Sequence, residues 1–330
     1  MSERLKDWVI NLPHTYSVRE TVVADVAACT SIVRNVDIAA VGETTTTEEE
    51  LQGDIEDPNV VKNGGSVVVV NRDARVVALL NAFNGMDENR SIFFDVFIEP
   101  ALPDVIQDAI ALSLVIAVER YTTNQLDVFA RDHDECKTAL YKSDRAFITA
   151  LQERDFEFHR TFWRMSRPVS EDIPVVMPSG YVLKEFDGNE ETWDELCRVH
   201  NAAFADYYDF RPLSVAGFRE ALTGGINDSS QWRILYRDDS IVGYCMPSKR
   251  FESGEFGYIG SIGVLREHRS QGLAKAMLID AFNRDRERGL RGTILHGDSS
   301  NPTGAMKLYE SLGMRQDREY VAYRKKITKH

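Results

Sequence analysis

The sequence predicts a mixed α/β fold that is built twice along the chain, as two tandem domains of the same kind. The chain has 330 residues, about twice the length of an ordinary domain of roughly 150 residues. In each half a strand is followed by helices, three strands, a long amphipathic helix and further strands. An order of elements that occurs twice indicates an internal duplication.

The second half contains the clearest periodicity. Between residues 270 and 288, apolar side chains recur at i, i+3, i+4, i+7 and i+8, which predicts a helix with one buried face. The other elements follow from alternating patterns, turn residues and caps. They are strands at 181–186, 232–236, 241–246, 258–264, 293–296 and 320–323, and helices at 190–204, after Ser214 and at 302–312.

The first half repeats this order in diverged form. Thr47 and Glu50 have the spacing of a capping box, in which each side chain bonds the other residue's amide at a helix start. A helical stripe of apolar residues follows between 106 and 117. The predicted elements are strands at 16–21, 66–70, 76–82, 92–98 and 126–130, helices at 25–34 and from Thr47, and a helix end before a final strand at 151–156.

Three prolines mark the boundary between the halves. Pro168, Pro174 and Pro178 interrupt both helix and interior strand, because proline has no amide hydrogen to donate. We therefore expect domains at 1–166 and 180–330, joined by a linker at 167–179.

Composition narrows the classes of partner. The net charge of −13 at pH 7 repels phosphate backbones, so no nucleic-acid partner is expected. No apolar stretch approaches the roughly 18 residues of a membrane span, and residues 1–10 lack the apolar core of a secretory signal, so we expect a cytoplasmic protein without a membrane partner. The four cysteines are scattered, without histidines at ligand spacing, and no metal is expected. The sequence leaves the oligomeric state open.

One segment has the form of a ligand site. The strand at 258–264 runs into a turn where Arg269, Gly272 and Ala274 form the pattern Arg-x-x-Gly-x-Ala, and the amphipathic helix follows directly. Small residues let main chain approach a ligand closely, and the first amides of a helix have no acceptor inside the helix. A turn of this kind suits a pyrophosphate.

A second segment lies one helix and one strand further on. Residues 301–314 are Asn-Pro-Thr-Gly-Ala-Met-Lys-Leu-Tyr-Glu-Ser-Leu-Gly-Met. Together the two segments resemble the GNAT superfamily of acyl-CoA-dependent N-acetyltransferases, whose pattern is Arg/Gln-x-x-Gly-x-Gly/Ala followed by Asn…Ala-x-x-Leu-Tyr-x-x-x-Gly-Phe. The chain departs from that pattern at Arg266, where proline is usual, and at Asn301, which lies one residue further than usual from Ala305.

The resemblance implies acetyl-CoA as co-substrate and gives roles to individual residues. After Arg269, the pyrophosphate would be held by the amides of Gln271, Gly272, Leu273, Ala274 and Lys275. The pantetheine arm would be aligned by the main chain of Ile262, Gly263 and Val264. Tyr309 would protonate the departing thiolate, and Asn301 would contact the coenzyme.

Acetyl transfer to an amine also needs a base, because a protonated ammonium is not a nucleophile. Glu255, at the start of the strand before the turn, and His296, on the next strand, are equally good candidates; Asp298 is a third. The strand register decides which side chain faces the acceptor, and a one-residue shift reverses the answer. The base is therefore left open.

The first half lacks the corresponding turn. After the strand at 92–98 come Glu99, Pro100, Ala101, Leu102 and Pro103, and the two prolines remove amide donors. We expect a degenerate GNAT-like domain at 1–166 with an architectural role and a catalytic one at 180–330, an arrangement that resembles the mycothiol synthase family. The predicted function is N-acetylation of the primary amine of a small molecule. The alternative is a non-catalytic, acetyl-CoA-binding regulatory module.

Overall fold

The computed structural model describes residues 4–56, 60, 65–84, 91–128, 133–207, 210–223, 227–252, 255–301 and 303–328. Within these ranges the chain forms twelve strands and eight α-helices, which confirms the mixed α/β class. The contacts divide the chain into two compact units, one of Met1–Phe162 with Glu319–His330 and the other of Trp163–Arg318.

The first unit is built on a largely antiparallel sheet. Its strands lie in the order β1-β2-β3-β4-β5, and β5 then pairs with residues 320–328 of β12; β4 and β5 are parallel. The elements are β1 (Tyr16–Glu20), α1 (Val26–Val41), α2 (Glu48–Glu56), β2 (Ser66–Asn71), β3 (Val76–Asn84), β4 (Ser91–Ile98), α3 (Asp104–Val128), β5 (His133–Tyr141), α4 (Arg145–Glu153) and the first part of β6 (Glu157–Pro168).

Local sequence signals explain two features of this unit. The predicted capping box is present, since the Thr47 amide donates to Glu50 Oε2 and the Glu50 amide donates to Thr47 Oγ1, both at 3.2 Å. The strand predicted at 126–130 is wrong, because α3 continues to Val128 with Leu126 fully buried. Val118 and Leu126 lie eight residues apart on one helix face, so the helical period simply continued. Residues 129–132 lie outside the described part of the chain.

The second unit carries the two motifs. Its strands lie in the order β6-β11-β10-β9-β8-β7, with β10 and β11 parallel at the centre. The elements after the end of β6 are β7 (Tyr181–Glu185), α5 (Glu190–Phe204), α6 (Val215–Leu222), β8 (Arg233–Arg237), β9 (Ser240–Ser248), β10 (Phe256–Val264), α7 (Leu273–Glu287), β11 (Gly292–Asp298), α8 (Ala305–Ser311) and β12 (Arg315–Thr328).

The two faces of this second sheet pack against different helices. Cys245 of β9 belongs to a buried cluster with Met277 of α7 and Tyr309 of α8. Its neighbour Tyr244 belongs to another cluster, with Trp193 of α5. Side chains alternate between faces along a strand, so one face looks towards α7 and α8 and the opposite face towards α5 and α6.

The first compact unit is not continuous in sequence. Residues 169–180 form neither helix nor strand, as three prolines in this region would suggest. The contacts, however, assign Trp163–Pro168 of β6 to the second unit and the last ten residues of β12 to the first. The limits 1–166, 167–179 and 180–330 concern the two GNAT-like repeats and stay a prediction.

Candidate active site

The two central strands of the second unit separate part-way along their length. The parallel register of β10 with β11 runs from Phe256↔Gly292 to Ile259↔Leu295. Both strands continue, β10 to Val264 and β11 to Asp298. At this point the pairing of β10 with β9 also shifts register, between Ile259 and Ser261. We call the space between the two strand ends the β10–β11 opening; main chain there can bond an extended ligand.

At the end of β10 the chain turns sharply into α7. Ser270 and Gly272 both have positive φ, +61° and +84°, and alternation with left-handed residues points successive amides to one side. The first helical bond is the one from the Ala276 amide to the Gly272 carbonyl, at 3.0 Å. Among the described residues no acceptor takes the six amides from 270 to 275. We call this row the amide cradle.

The predicted residues of the turn differ in their exposure and in the direction of their side chains. Gln271, Gly272 and Lys275 are exposed, whereas Leu273 is buried beneath the turn. The Arg269 side chain does not face the cradle, because its Nε donates to the Val264 carbonyl at 3.0 Å and its Nη2 to the Ala203 carbonyl at 2.7 Å. Arg269 thus joins the end of β10 to the end of α5.

Sequence reasoning missed a polar anchor under the turn. The Tyr181 hydroxyl lies 2.9 Å from His268 Nδ1 and donates to Gln271 Oε1 at 3.1 Å. The same oxygen accepts from Arg237 at 3.1 Å. These contacts attach the turn to β7 and β8. No sequence signal pointed to Tyr181 or Arg237, because both lie far from the motif in the chain.

Tyr309 lies beside the opening on α8. Its side chain is 8% exposed, and burial raises the pKa of its hydroxyl to about 12. The helix approaches β11 closely, since a Cβ on Gly297 would come 2.1 Å from Met306 Cε and 3.6 Å from Tyr309 Cε2. The hydroxyl is therefore protonated at neutral pH, as a proton donor must be.

Asn301 shapes the connection between β11 and α8. Its Oδ1 accepts from the Thr303 amide at 2.8 Å and from Thr303 Oγ1 at 2.6 Å, and its own amide donates to the Asp298 carbonyl at 3.1 Å. Asp298 is buried and accepts from the Ser300 amide at 2.8 Å. Both side chains accept hydrogen bonds from backbone amides of this turn, and asparagine and aspartate are favoured in turns for this reason.

The two leading candidates for the base lie at different distances from the opening. Glu255 is exposed, has a positive φ of 66° and lies 3.7 Å from Arg291 Nη1. Five residues of extended chain, about 16 Å, separate Glu255 from Gly260 at the opening. His296 follows the last β10–β11 pair, so it lies at the opening itself.

The environment of His296 disfavours its protonated form. The ring is half-buried, and its Nδ1 lies 3.2 Å from the Tyr258 hydroxyl. Burial first, and then the positive charges of Arg250 and Arg164, lower its pKa to about 3. His296 is thus neutral at pH 7 but a weak base, since a general base works best with a pKa near the operating pH.

The described ranges also bear on metal binding, on the cysteines and on membrane insertion. No group of three or more histidines, cysteines, aspartates or glutamates there could hold a metal ion. The four cysteines are buried and free. No helix in those ranges has the length and apolarity to span a membrane.

The fold and the site together define a known class of domain. Residues 192–314 match the family model described as "Acetyltransferase (GNAT) family". The matched range contains the β10–β11 opening, the amide cradle and Tyr309. Over this range the chain is similar to the GNAT acetyltransferase family, as its two motifs indicated.

Curated relatives carry one particular name. The chain is similar to a mycothiol acetyltransferase of Thermobispora bispora, 29% identical over 173 residues, which are 50% of this chain and 57% of that protein. It is also similar to a mycothiol acetyltransferase of Stackebrandtia nassauensis, 29% identical over 201 residues, or 59% of this chain and 62% of the relative. The chain thus spans little more than half the length of the curated relatives it matches.

Solved structures share the fold over nearly the whole chain. A GCN5-related N-acetyltransferase from Sphaerobacter thermophilus superposes with a TM-score of 0.81 at 23% identity, covering 96% of this chain and 97% of that one. A tandem GNAT protein from the clavulanic acid biosynthesis pathway gives a TM-score of 0.66 at 13% identity, with 96% and 99% covered. At these identities the likeness concerns the fold alone.

Proposed function

We propose that the chain is an acetyl-CoA-dependent N-acetyltransferase that transfers an acetyl group to the primary amine of a small molecule. The amide cradle is the observation that carries the proposal. Six successive amides without a described acceptor, at the start of a fifteen-residue helix, form a site for a doubly charged anion such as a pyrophosphate.

The residues around the cradle fit that co-substrate. A Cβ built on Gly272 has no described atom within 4 Å, so a ligand has room to approach the main chain there. Lys275 is exposed in the first turn of the helix and adds a positive charge. Arg269 contributes by holding the end of β10 against α5, so its part is to position the turn.

The edge of β10 past Ile259 supplies main chain for the rest of the co-substrate. Ile262, Gly263 and Val264 lie on the segment where the register with β11 has ended. Their amides and carbonyls would align an extended pantetheine arm as a neighbouring strand would. Asn301 supports this arrangement indirectly, because it fixes the turn into the helix that carries Tyr309.

Tyr309 would act as the acid that protonates the departing thiolate. It stands beside the opening, and burial keeps its hydroxyl protonated through the neutral range. Glu255 and His296 both stay candidates for the base. The position of His296 at the opening favours His296 as the base, whereas its low pKa counts against it. Glu255 has the disadvantage that it lies far from the opening along β10.

The acceptor is proposed from chemistry and from the relatives. Several curated relatives are named mycothiol acetyltransferase, which makes a mycothiol-related amine the first acceptor to test. Other primary amines, including amino sugars and polyamines, share the group that the reaction needs.

A thiol-release screen tests the proposal. The purified chain is mixed with acetyl-CoA and pools of primary amines, including a mycothiol-related amine, and free coenzyme A is measured. We expect amine-dependent release. Calorimetric binding of acetyl-CoA without release over the whole panel would instead establish the non-catalytic regulatory module, and absence of binding would contradict both.

A further inference from the structure

A chain of hydrogen bonds runs from the β10–β11 opening to α5. Ser261 Oγ lies 3.2 Å from the Tyr244 hydroxyl. That hydroxyl lies 2.6 Å from His200 Nδ1. The three groups come from β10, β9 and α5, and we call them the Ser261–Tyr244–His200 chain. Hydrogen-bonded hydroxyls and imidazoles in a row are able to pass protons along the row.

The first member stands where an acceptor amine would arrive. Ser261 is half-buried and follows Gly260, at the register shift of β10 and past the last pair with β11. It pairs with Met246, which belongs to the cluster on the α5 and α6 side of the sheet. The Ser261 hydroxyl therefore lies at the opening, on the sheet face opposite Tyr309.

The middle member is fixed in position. Tyr244 is fully buried, and a Cβ on Gly263 would come within 3.0 Å of its ring carbons and 3.1 Å of its hydroxyl. Only glycine at this position leaves the ring where it is. The Tyr244 hydroxyl is thus held between Ser261 and His200, and burial raises its pKa well above the usual value.

The last member, His200, lies in an aromatic cluster. The His200 ring is half-buried and stacks 4.9 Å from Phe204, with Phe218 at 5.0 Å and Phe210 at 5.6 Å. Tyr244 is the only titratable partner that the described structure gives the ring. Burial alone lowers the His200 pKa to about 4. A neutral ring can accept at Nδ1 while its Nε2 carries the exchangeable hydrogen.

We propose that Ser261, Tyr244 and His200 form a proton relay that carries the proton of the acceptor ammonium from the β10–β11 opening to water. This inference rests on the proposed function and supplies a base where Glu255 is distant and His296 weak. Ser261 would be the catalytic residue that meets the acceptor, and Tyr244 and His200 would be positioning residues behind it.

The transfer balances step by step. The N–H bond of the ammonium breaks as Ser261 Oγ takes that proton, and the Ser261 hydroxyl proton moves to the Tyr244 oxygen. The Tyr244 proton moves to His200 Nδ1, and the Nε2 proton of His200 leaves to water. The two transfers at His200 are concerted, so no imidazolium forms and the low pKa of His200 does not oppose the relay. The amine becomes neutral, the imidazole changes tautomer, and no charge stays in the protein.

The test compares Tyr244→Phe with a matched control. Tyr244→Phe removes one hydroxyl and keeps the buried ring. Tyr236→Phe makes the same change on β8, in the same cluster but outside the hydrogen-bond chain. With the amine found in the screen, we expect kcat at pH 7 to fall about 100-fold in Tyr244→Phe, with the Kd for acetyl-CoA unchanged. The deficit should shrink at high pH, where the amine arrives already neutral. The control should keep wild-type kcat.

A second variant keeps the relay testable if Tyr244→Phe does not fold. His200→Gln keeps a hydrogen-bonding side chain but cannot pass a proton. In mixtures of H₂O and D₂O, the solvent isotope effect on kcat should indicate several moving protons in the wild type and a single one in His200→Gln. Wild-type kcat in both relay variants, or an equal loss at every pH in folded protein, would overturn the relay. A wild-type chain without transfer to any amine would overturn the proposed function, and the relay with it.

Discussion

At the scale of single residues, burial decides which groups are able to move protons. Tyr309 and His296 both border the β10–β11 opening, and burial shifts their pKa values in opposite directions, to about 12 and about 3. Both groups are consequently neutral at pH 7. A neutral tyrosine is a useful acid, whereas a histidine that resists protonation is a poor base.

Substitution of Tyr309 tests its role as the acid. Tyr309→Phe removes the hydroxyl and keeps the buried ring, so we expect kcat to fall about 10- to 100-fold, with little change in stability or in the Kd for acetyl-CoA. Steady-state thiol release would show this, with Tyr236→Phe as the control. Unchanged turnover would remove Tyr309 from the mechanism.

The two half-buried histidines, His200 and His296, should make stability depend on pH. The pKa of His200 and of His296 is lowered from 6.5 in the folded chain, so the unfolded chain binds more protons below pH 6.5. The free energy of unfolding should fall as pH drops from about 6.5 to 5, by up to about 1.4 kcal/mol per pH unit for each histidine. Urea unfolding at several pH values measures this dependence. The free energy of unfolding should change less with pH in His296→Gln than in the wild type, and an equal change with pH would contradict the lowered pKa of His296.

At the scale of elements, the sequence predicts well wherever one segment contains the whole signal. The period of α7, the cap of α2 and the succession of β8, β9 and β10 depend on neighbours along the chain. The hydrogen-bond partners of Arg269 could not be predicted in this way, because one of them, Ala203, lies 66 residues earlier in the chain. The free amides of the cradle could be predicted, but not the splitting of β10 from β11 or the Ser261–Tyr244–His200 chain, since both depend on strand register.

The cradle itself can be tested with a glycine pair. Gly272→Ala places a methyl group on a residue with φ of +84°, and Gly188→Ala does the same at +73° in the connection before α5. Both positions have open space around the new methyl. Each should cost about 1–2 kcal/mol of stability. Only Gly272→Ala should also weaken coenzyme A binding, by calorimetry; equal affinity in both variants would show that the cradle does not bind the co-substrate.

At the scale of the whole molecule, the two units share a plan but differ at the corresponding turn. In the first unit the residue after β4 is Glu99, whose buried carboxylate accepts from Asn35 Nδ2 at 3.0 Å and from the Ala101 amide at 3.4 Å. A protein carboxylate therefore already uses donors there, and Pro100 and Pro103 offer none. This supports the prediction that the first unit is degenerate.

The stoichiometry of coenzyme A binding follows from that difference. We expect one molecule per chain by calorimetry, because the carboxylate of Glu99 would repel a second pyrophosphate. Gly272→Ala should weaken that single event, whereas Glu99→Gln should leave its affinity unchanged. Two equivalent binding events would show that the first unit also binds the co-substrate.

The last segment of the first unit follows the second unit in the chain, which limits where the chain can be divided. Nine residues of β5, from His133 to Tyr141, have their register partners between Tyr320 and Thr328. A fragment that stops at residue 166 would leave this edge of β5 bare, and an unpaired edge invites aggregation. A single cut therefore cannot release the first unit with a complete sheet, because residues 319–330 of that unit follow the whole of the second unit in the chain.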